Sequence, residues 1–272
     1  MTPPQVVIRS RDNPTVKLLF GLVHSSRERK KTGLTVLDGV HLVDAFLQTG
    51  RRPHLVIVAE SAAESDDVQS IQRHLQKLAL TVTVTADALV AEASQLESPA
   101  LVMALVMTPT AQPIPADAPA VLVLDGVQDP GNVGAMLRCA AAFNFQHVLL
   151  GSGTAFAWSP KVLRAAQGAH FVLNILEGAS VIDFISTYQG QTLALVPDAN
   201  AAQPLVDVDL HKMSAILVGN EGAGLSPEVI AAATMRVTIP MPGTAESLNA
   251  ASCGAIAMYE LCRQRDTSQS RR

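Results

Sequence analysis

Cysteine is scarce in this sequence and has no pattern. Cys139, Cys253 and Cys262 are the only three in 272 residues, and no two are spaced like metal ligands. A zinc site or a disulfide framework is therefore not expected. Their odd number and apolar neighbours suggest reduced, buried thiols in a cytoplasmic protein. No apolar run reaches the roughly 20 residues of a membrane span, and the N-terminus lacks the charged-then-apolar pattern of a signal peptide. Internal repeats and low-complexity segments are also missing. The glycines lack two familiar spacings. Gly126, Gly131 and Gly134 do not form G-x-G-x-x-G, nor do Gly219, Gly222 and Gly224, and no G-K-[ST] follows them. A dinucleotide-dependent dehydrogenase and a nucleoside-triphosphate site both lose their motif support.

Hydrophobic residues make up 48% of the chain, enough for real cores, and the length suggests two domains. Charge is uneven. The net charge is −4, yet residues 1–52 carry nine Lys/Arg against four Asp/Glu, leaving a strongly acidic remainder. A solvated basic face is the plain reading. Concentrating the positive charge in one segment of an acidic protein favours a polyanionic partner.

Alternation of helical and strand patterns implies an α/β protein. A short helix is expected over 14–25, then a basic loop over Ser25–Gly33. Strands are expected at 34–37, 54–59, 81–85 and 101–107, with helices at 40–48 and 68–78. Four prolines within 108–119 mark a linker. The second half opens on a buried strand, Ala120–Asp125. A helix from about Val133 to Phe143 and a strand at 147–150 follow. Ser159-Pro160 and Ser226-Pro227 each read as an N-cap with proline at the first helical position. Further strands are expected near 171–175, 193–196, 215–218 and 237–239. A last helix carries Leu248, Ala251, Ala255, Tyr259 and Cys262 at helical spacing, and residues 266–272 read as a frayed polar tail.

Three stretches each join a strand to an irregular turn, where α/β sheets bind ligands. They are Leu124–Arg138, Leu217–Pro227 and the segment from Ile239 into the last helix. In the third, Glu246, Ser247 and Asn249 sit at a loop-to-helix junction with free backbone N–H groups. Together the three resemble the signature motifs of the SpoU (TrmH) family of RNA 2′-O-ribose methyltransferases. The resemblance is carried by Asp125-Gly-Val-Gln-Asp-Pro-Gly-Asn-Val-Gly-Ala135 with Arg138, by Gly219-Asn-Glu-Gly-Ala-Gly-Leu225, and by Ile239-Pro-Met-Pro-Gly243 with Ser247-Leu-Asn249. Ser159–Phe171 resembles the family's linking segment. Residues 1–107 are similar to the ribosomal-protein-like domain that many members carry, on Arg11-Asp-Asn-Pro14, the Arg/Lys run and Leu37–Val43.

The resemblance implies a substrate-binding domain (1–107), a linker (108–119), a trefoil-knotted SPOUT methyltransferase domain (120–265) and a flexible tail (266–272). It implies S-adenosyl-L-methionine as cofactor, no metal, a homodimer, and structured RNA, ribosomal before transfer RNA, as substrate. A non-catalytic RNA-binding protein is the alternative. Gly219, Ile239, Leu248 and Asn249 would contact the cofactor. Arg138, Asn132, Glu221, Ser247 and Asn249 would form the catalytic set. The family proposal gives Arg138 a part in deprotonating the 2′-hydroxyl. A guanidinium is ordinarily protonated, so a fixed cation facing the developing alkoxide or a phosphate is an equally physical role. Asn132 would orient Arg138 or the ribose, and Glu221 would hold Asn132 or Arg138 in place. Ala251 stands where the family often has a second serine. Lys161 and Arg164, three apart on one helix, with Arg27, Arg29, Lys30 and Lys31, would contact RNA. Trp158 is expected to pack, with base stacking as the alternative.

Overall fold

The computed structural model describes residues 6–94, 102–197, 202–245 and 247–269. Glu246 and the end of the expected tail, 270–272, lie outside the described residues. The chain divides into two compact units. One comprises residues 1–110 with 158–171, and the other comprises residues 111–157 with 172–272. Residues 111–119 thus fold with the second unit. There Ile114 packs on the core and the Gln112 backbone N–H donates to Asn174 Oδ1 at 2.9 Å.

In the first unit, α1 (Pro14–His24), α2 (Ser26–Thr32), β1 (Leu34–Asp38), α3 (Val40–Gln48), β2 (Leu55–Ala59), α4 (Asp66–Lys77), β3 (Thr83–Thr85), α5 (Asp87–Ala93) and β4 (Val102–Met107) follow in order. The sheet order is β1-β4-β2-β3, with β2 and β3 parallel and β4 antiparallel to both neighbours. β4 is buried from Val102 to Val106, because a central strand covered on both faces tolerates no polar alternation.

The expected basic loop is a helix. Ser25 Oγ accepts the Glu28 N–H at 3.2 Å, and Gly33 ends α2 in the left-handed region at φ 66°. These are the two halves of a capping signature that the run of charges obscures. Arg29 is correspondingly not an RNA contact. It is 7% exposed, and its guanidinium donates to the carbonyls of Leu22 and Val23 at 2.6 and 3.2 Å. It satisfies the open end of α1.

A segment from the second half of the chain completes this unit. Ser159 caps α7 (Pro160–Ala166), and Val162, Leu163 and Ala166 are buried. Thr35 Oγ1 donates to the Trp158 carbonyl at 2.6 Å, and Phe171 meets Phe46 edge-on at 5.4 Å. Trp158 is itself buried edge-on to His170 at 4.9 Å, so it packs and offers no face for stacking on a base.

The second unit contains β5 (Ala120–Leu124), α6 (Pro130–Ala142), β6 (His147–Leu150), β7 (Asn174–Glu177), α8 (Val181–Thr187), β8 (Gln191–Leu195), β9 (Gln203–Pro204), β10 (Ser214–Val218), α9 (Pro227–Ala232), β11 (Met235–Thr238) and α10 (Ala250–Gln269). The order β7-β6-β5-β10-β8-β11-β9 is parallel throughout. A dinucleotide fold would place its fourth strand beside the first. Here β10, the sixth of this sheet in chain order, is inserted between β5 and β8. Val121, Val123, Ala215 and Leu217 pack with Leu225 and Val229 near α8 and α9. α6 and α10 pack together, and α10 also packs on β10.

Several boundaries differ from expectation: the strand expected near 171–175 is Asn174–Glu177, because Ala169–Phe171 forms a 3-10 turn, and both helices beside the site differ too. α6 starts at Pro130 because Asp129 Oδ1 caps it, accepting the Asn132 N–H at 2.9 Å. α10 runs on to Gln269, so residues 266–269 are helical. Arg265 in its last turns donates to the carbonyls of Leu210, Pro119 and Lys212 at 2.9–3.0 Å. The buried face of α10 is Gly254, Ala257, Met258 and Leu261, one position away from the expected stripe.

Arg29→Ala should lower the unfolding free energy by about 2 kcal/mol, the scale of charged hydrogen bonds lost from buried carbonyls. Arg27→Ala, at an exposed position of the same helix, should change it by less than about 0.5 kcal/mol. Urea denaturation measures both, and equal small losses would remove Arg29 from its capping role.

Candidate active site

The inserted strand decides which loops meet. β10 lies beside β5, and the Asp125 N–H donates to the Val218 carbonyl at 2.9 Å, extending the ladder to the strand ends. Beyond it both loops fold back on each other. Gly126 turns at φ 71°, its N–H donating to Thr154 Oγ1 at 3.0 Å. Asn220 Nδ2 donates to the Gly126 carbonyl at 2.9 Å. Asn220 Oδ1 accepts the N–H groups of Gly222 and Ala223, both at 2.9 Å. This one side chain therefore shapes its own loop and ties it to the first.

Glu221 is the next link. Its Oε1 accepts from Asn132 Nδ2 at 2.9 Å and from the Asp129 N–H at 3.1 Å, while Oε2 accepts the Gln128 N–H at 3.1 Å. Asn132 Oδ1 accepts from Asn249 Nδ2 at 3.0 Å. Asn249 Oδ1 in turn caps α10, accepting the N–H groups of Ala251 and Ser252 at 2.8 and 3.3 Å. A continuous hydrogen-bonded chain thus joins all three stretches singled out in the sequence. Partial burial opposes ionisation of Glu221, but the bonds from Asn132 and the backbone outweigh it and hold its carboxyl below the usual range. Its stabilising charge is present at neutral pH and is lost only as pH falls through that lowered value. Asp125 moves the other way, raised by burial.

A cavity of about 470 Å³ opens beside this chain. It lies at the C-terminal ends of three adjacent strands, β10, β8 and β11. Gly219–Leu225, Leu195–Pro197, Val237–Ile239 and Met241 line it, with Ser247, Leu248, Ala250 and Cys253 at the start of α10. Gly219 is the tightest point. A Cβ there would lie 2.2 Å from the Leu225 nitrogen and 2.3 Å from the Gly224 carbonyl carbon. Only a glycine lets the two backbones pass.

The structure brings together Gly219, Glu221, Ile239, Ser247 and Leu248 as lining residues, with Asn132 and Asn249 in the hydrogen-bonded chain. Arg138 is exposed on α6 and makes no hydrogen bond or ion pair among the described residues. Glu221 holds Asn132 and not Arg138. Lys161 and Arg164 are exposed on α7, in the first unit with exposed Arg27, Lys30 and Lys31. Sequence reasoning missed Asn220 and the Asp129 cap. The second was signalled by Asp129-Pro130, the same cap-then-proline pair used at residues 159 and 226.

Residues 119–259 match the family model of the SpoU rRNA Methylase family, and residues 13–104 match that of the MRM3-like substrate binding domain. The 23S rRNA (guanosine(2553)-2'-O)-methyltransferase RlmP of Bacillus subtilis (strain 168) is 32% identical over 257 residues, spanning 93% of this chain and 98% of that protein. A crystal structure of an RNA 2'-O ribose methyltransferase superposes with a TM-score of 0.79 at 30% identity, covering 96% and 99% of the two chains. The SpoU methyltransferase AviRb from Streptomyces viridochromogenes, in complex with the cofactor AdoMet, gives 0.80 at 26% identity, covering 94% and 99%. The cavity here suits that cofactor, with a size in the usual range for small-molecule sites.

Gly219→Ala should abolish S-adenosylmethionine binding, because its Cβ drives the 219–225 loop out of the cavity wall. Gly224→Ala, at φ 70° with open space around the added atom, should keep binding at a stability loss of about 1 kcal/mol. Calorimetric titration of both variants decides it. Undiminished binding by Gly219→Ala would separate the cavity from the cofactor.

Proposed function

The chain belongs to the SpoU rRNA methylase family, and from that premise we propose that its hydrogen-bonded chain and Arg138 present a ribosomal-RNA ribose to the cofactor in the cavity. The protein is an S-adenosylmethionine-dependent RNA 2′-O-ribose methyltransferase. The observation that carries the site assignment is the Glu221–Asn132–Asn249 chain, which joins the first turn of α6, the loop after β10 and the cap of α10 beside the cavity.

The bound cofactor supplies an electrophilic methyl group, and the 2′-oxygen must reach it in line while giving up its proton. Arg138 serves as a fixed cation against the charge that develops on that oxygen or on the adjacent phosphate. Its lack of a hydrogen bond or ion pair among the described residues supports this, since a guanidinium locked in an ion pair would have to be released first. Asn132 is oriented by the two groups that grip both ends of its amide, and it fixes the first turn of the helix that carries Arg138. Glu221 positions Asn132. The hydroxyl of Ser247 lines the cavity, within reach of the ribose.

The first unit acts as the substrate-binding domain, with Arg27, Lys30, Lys31, Lys161 and Arg164 as phosphate contacts. Two copies pair through α10, whose Ile256 and Tyr259 remain 39% and 55% exposed. Tyr259 is already braced edge-on by Phe143 at 5.9 Å, a rigid aromatic of the kind interfaces favour. Burying that face would also dry the surroundings of Arg138. The trefoil knot and a cytoplasmic location complete the reading.

Methyl transfer to ribosomal and transfer RNA lacking the modification, with 2′-O-methyl mapping, tests the substrate. A single labelled ribose in ribosomal RNA is expected, and label confined to transfer RNA would replace that substrate. Arg138→Ala should lose at least about 100-fold in kcat with the cofactor Kd unchanged. Full activity would remove Arg138 from the chemistry. Tyr259→Glu should shift sedimentation from dimer to monomer, and an unchanged profile would move the interface elsewhere.

A further inference from the structure

The cavity has two charged residues in its described lining, Glu221 and Arg236. Glu221 is committed: three donors already saturate its carboxylate. Arg236 is not. It is exposed on β11 and makes no hydrogen bond or ion pair among the described residues. Strand pairing sets it level with Ala194 of β8 and Leu217 of β10, about 10 Å from β10 at the usual spacing of adjacent strands. The loop that carries Glu221 leaves from β10. The cavity therefore has a bonded acid on its β10 side and, on its β11 side, a guanidinium with no partner among the described residues. Leu195, opposite Val237 in the sheet, and Val196, Pro197 and Ile230 are apolar members of the same lining.

S-adenosylmethionine carries one anionic group, the α-carboxylate of its methionine portion. We propose that Arg236 binds this carboxylate and so selects amino-acid-bearing adenosyl ligands over the bare nucleoside thioether. The assignment rests on the cofactor reading above. It also divides the two uncommitted arginines. Arg138 lies outside the described cavity lining and serves the RNA, while Arg236 lies within it and serves the cofactor. A planar guanidinium matches a carboxylate with two parallel hydrogen bonds, which a lysine cannot reproduce.

Calorimetric titration of the full chain with S-adenosylmethionine, S-adenosylhomocysteine and 5′-methylthioadenosine tests the proposal. Arg236→Gln should weaken the first two on the order of tenfold and leave 5′-methylthioadenosine, which lacks the carboxylate, unchanged. Arg236→Lys should recover part of the loss. Equal weakening of all three ligands would place Arg236 on the nucleoside and overturn the carboxylate assignment. Unchanged ligand affinity with a raised KM for RNA would make it a phosphate contact instead. If the wild-type chain binds 5′-methylthioadenosine as tightly as S-adenosylmethionine, nothing reads the carboxylate and the proposal falls while the cofactor site stands. If it binds none of the three, the cofactor site itself falls, and the proposal with it.

Discussion

Glu221 accepts hydrogen bonds from two backbone N–H groups and one amide of the loop and helix that follow β5, although about 90 residues separate the partners. Sheet order makes this possible. Because β10 is inserted beside β5, the two loops leave neighbouring strand ends and meet at once. With β10 in a later position the carboxylate would hang over an unrelated loop, and Asn132 would lose the donor-acceptor pair that fixes its amide. Asn249 then extends the same network to α10. Its amide nitrogen donates to Asn132 and its oxygen caps the helix. Glu221 and Asn249 bind backbone as well as Asn132, and Asn132 gives both ends of its amide to these two, so removing one leaves a polar group without its counterpart.

The electrostatics follow from the same network. Saturation holds the Glu221 carboxyl below the usual range despite partial burial, so its charge is constant across the neutral range and it acts as an anchor, not as a titrating base. The arginines are handled in the opposite way. Arg29 and Arg265 are spent on backbone carbonyls, while Arg138 and Arg236 are left exposed. Arg29 thus secures a helix end and Arg265 the loops that lead into β5 and β10, while the arginines near the site are exposed to anions that arrive from outside.

Regular elements with strong local signals were legible in the sequence, α3 and β10 among them, because apolar runs and periodicity arise from burial itself. The three turns joined by the hydrogen-bonded chain were legible too, since prolines and glycines forbid other structure there. α2 was not, because its charges read as solvent loop and its capping pair is separated by seven residues of mostly charged sequence. Arg29 shows why composition misleads at one position. A guanidinium seven residues beyond Leu22 reaches back to that helix's last carbonyls only once the turn at Ser25 is formed. α8 has a short apolar face and gave no periodic signal. The insertion of β10 is likewise a property of the whole sheet, and no window of sequence encodes it. The membership of 158–171 in the first unit is a third case, since α7 carries its cap in the sequence but not its destination.

The small residues of α10 resolve into distinct duties once the helix is placed. Gly254 faces α6 and β10, where an added Cβ would lie 2.8 Å from Met136 Sδ and 3.6 Å from Val218 Cγ2. Ala250 and Cys253 face the cavity. Ile256 and Tyr259 face outward. Three neighbours at three azimuths leave no single apolar stripe, so the helix looks weakly amphipathic although each side is specified. The expected stripe ran from half-buried Ala251 and Ala255 onto the outward face at Tyr259. Close packing explains Gly254, whereas Ala250 borders the cavity, and both positions carry similarly small side chains. Sequence alone therefore cannot tell a packing glycine from a cavity wall; the neighbour across the contact decides it.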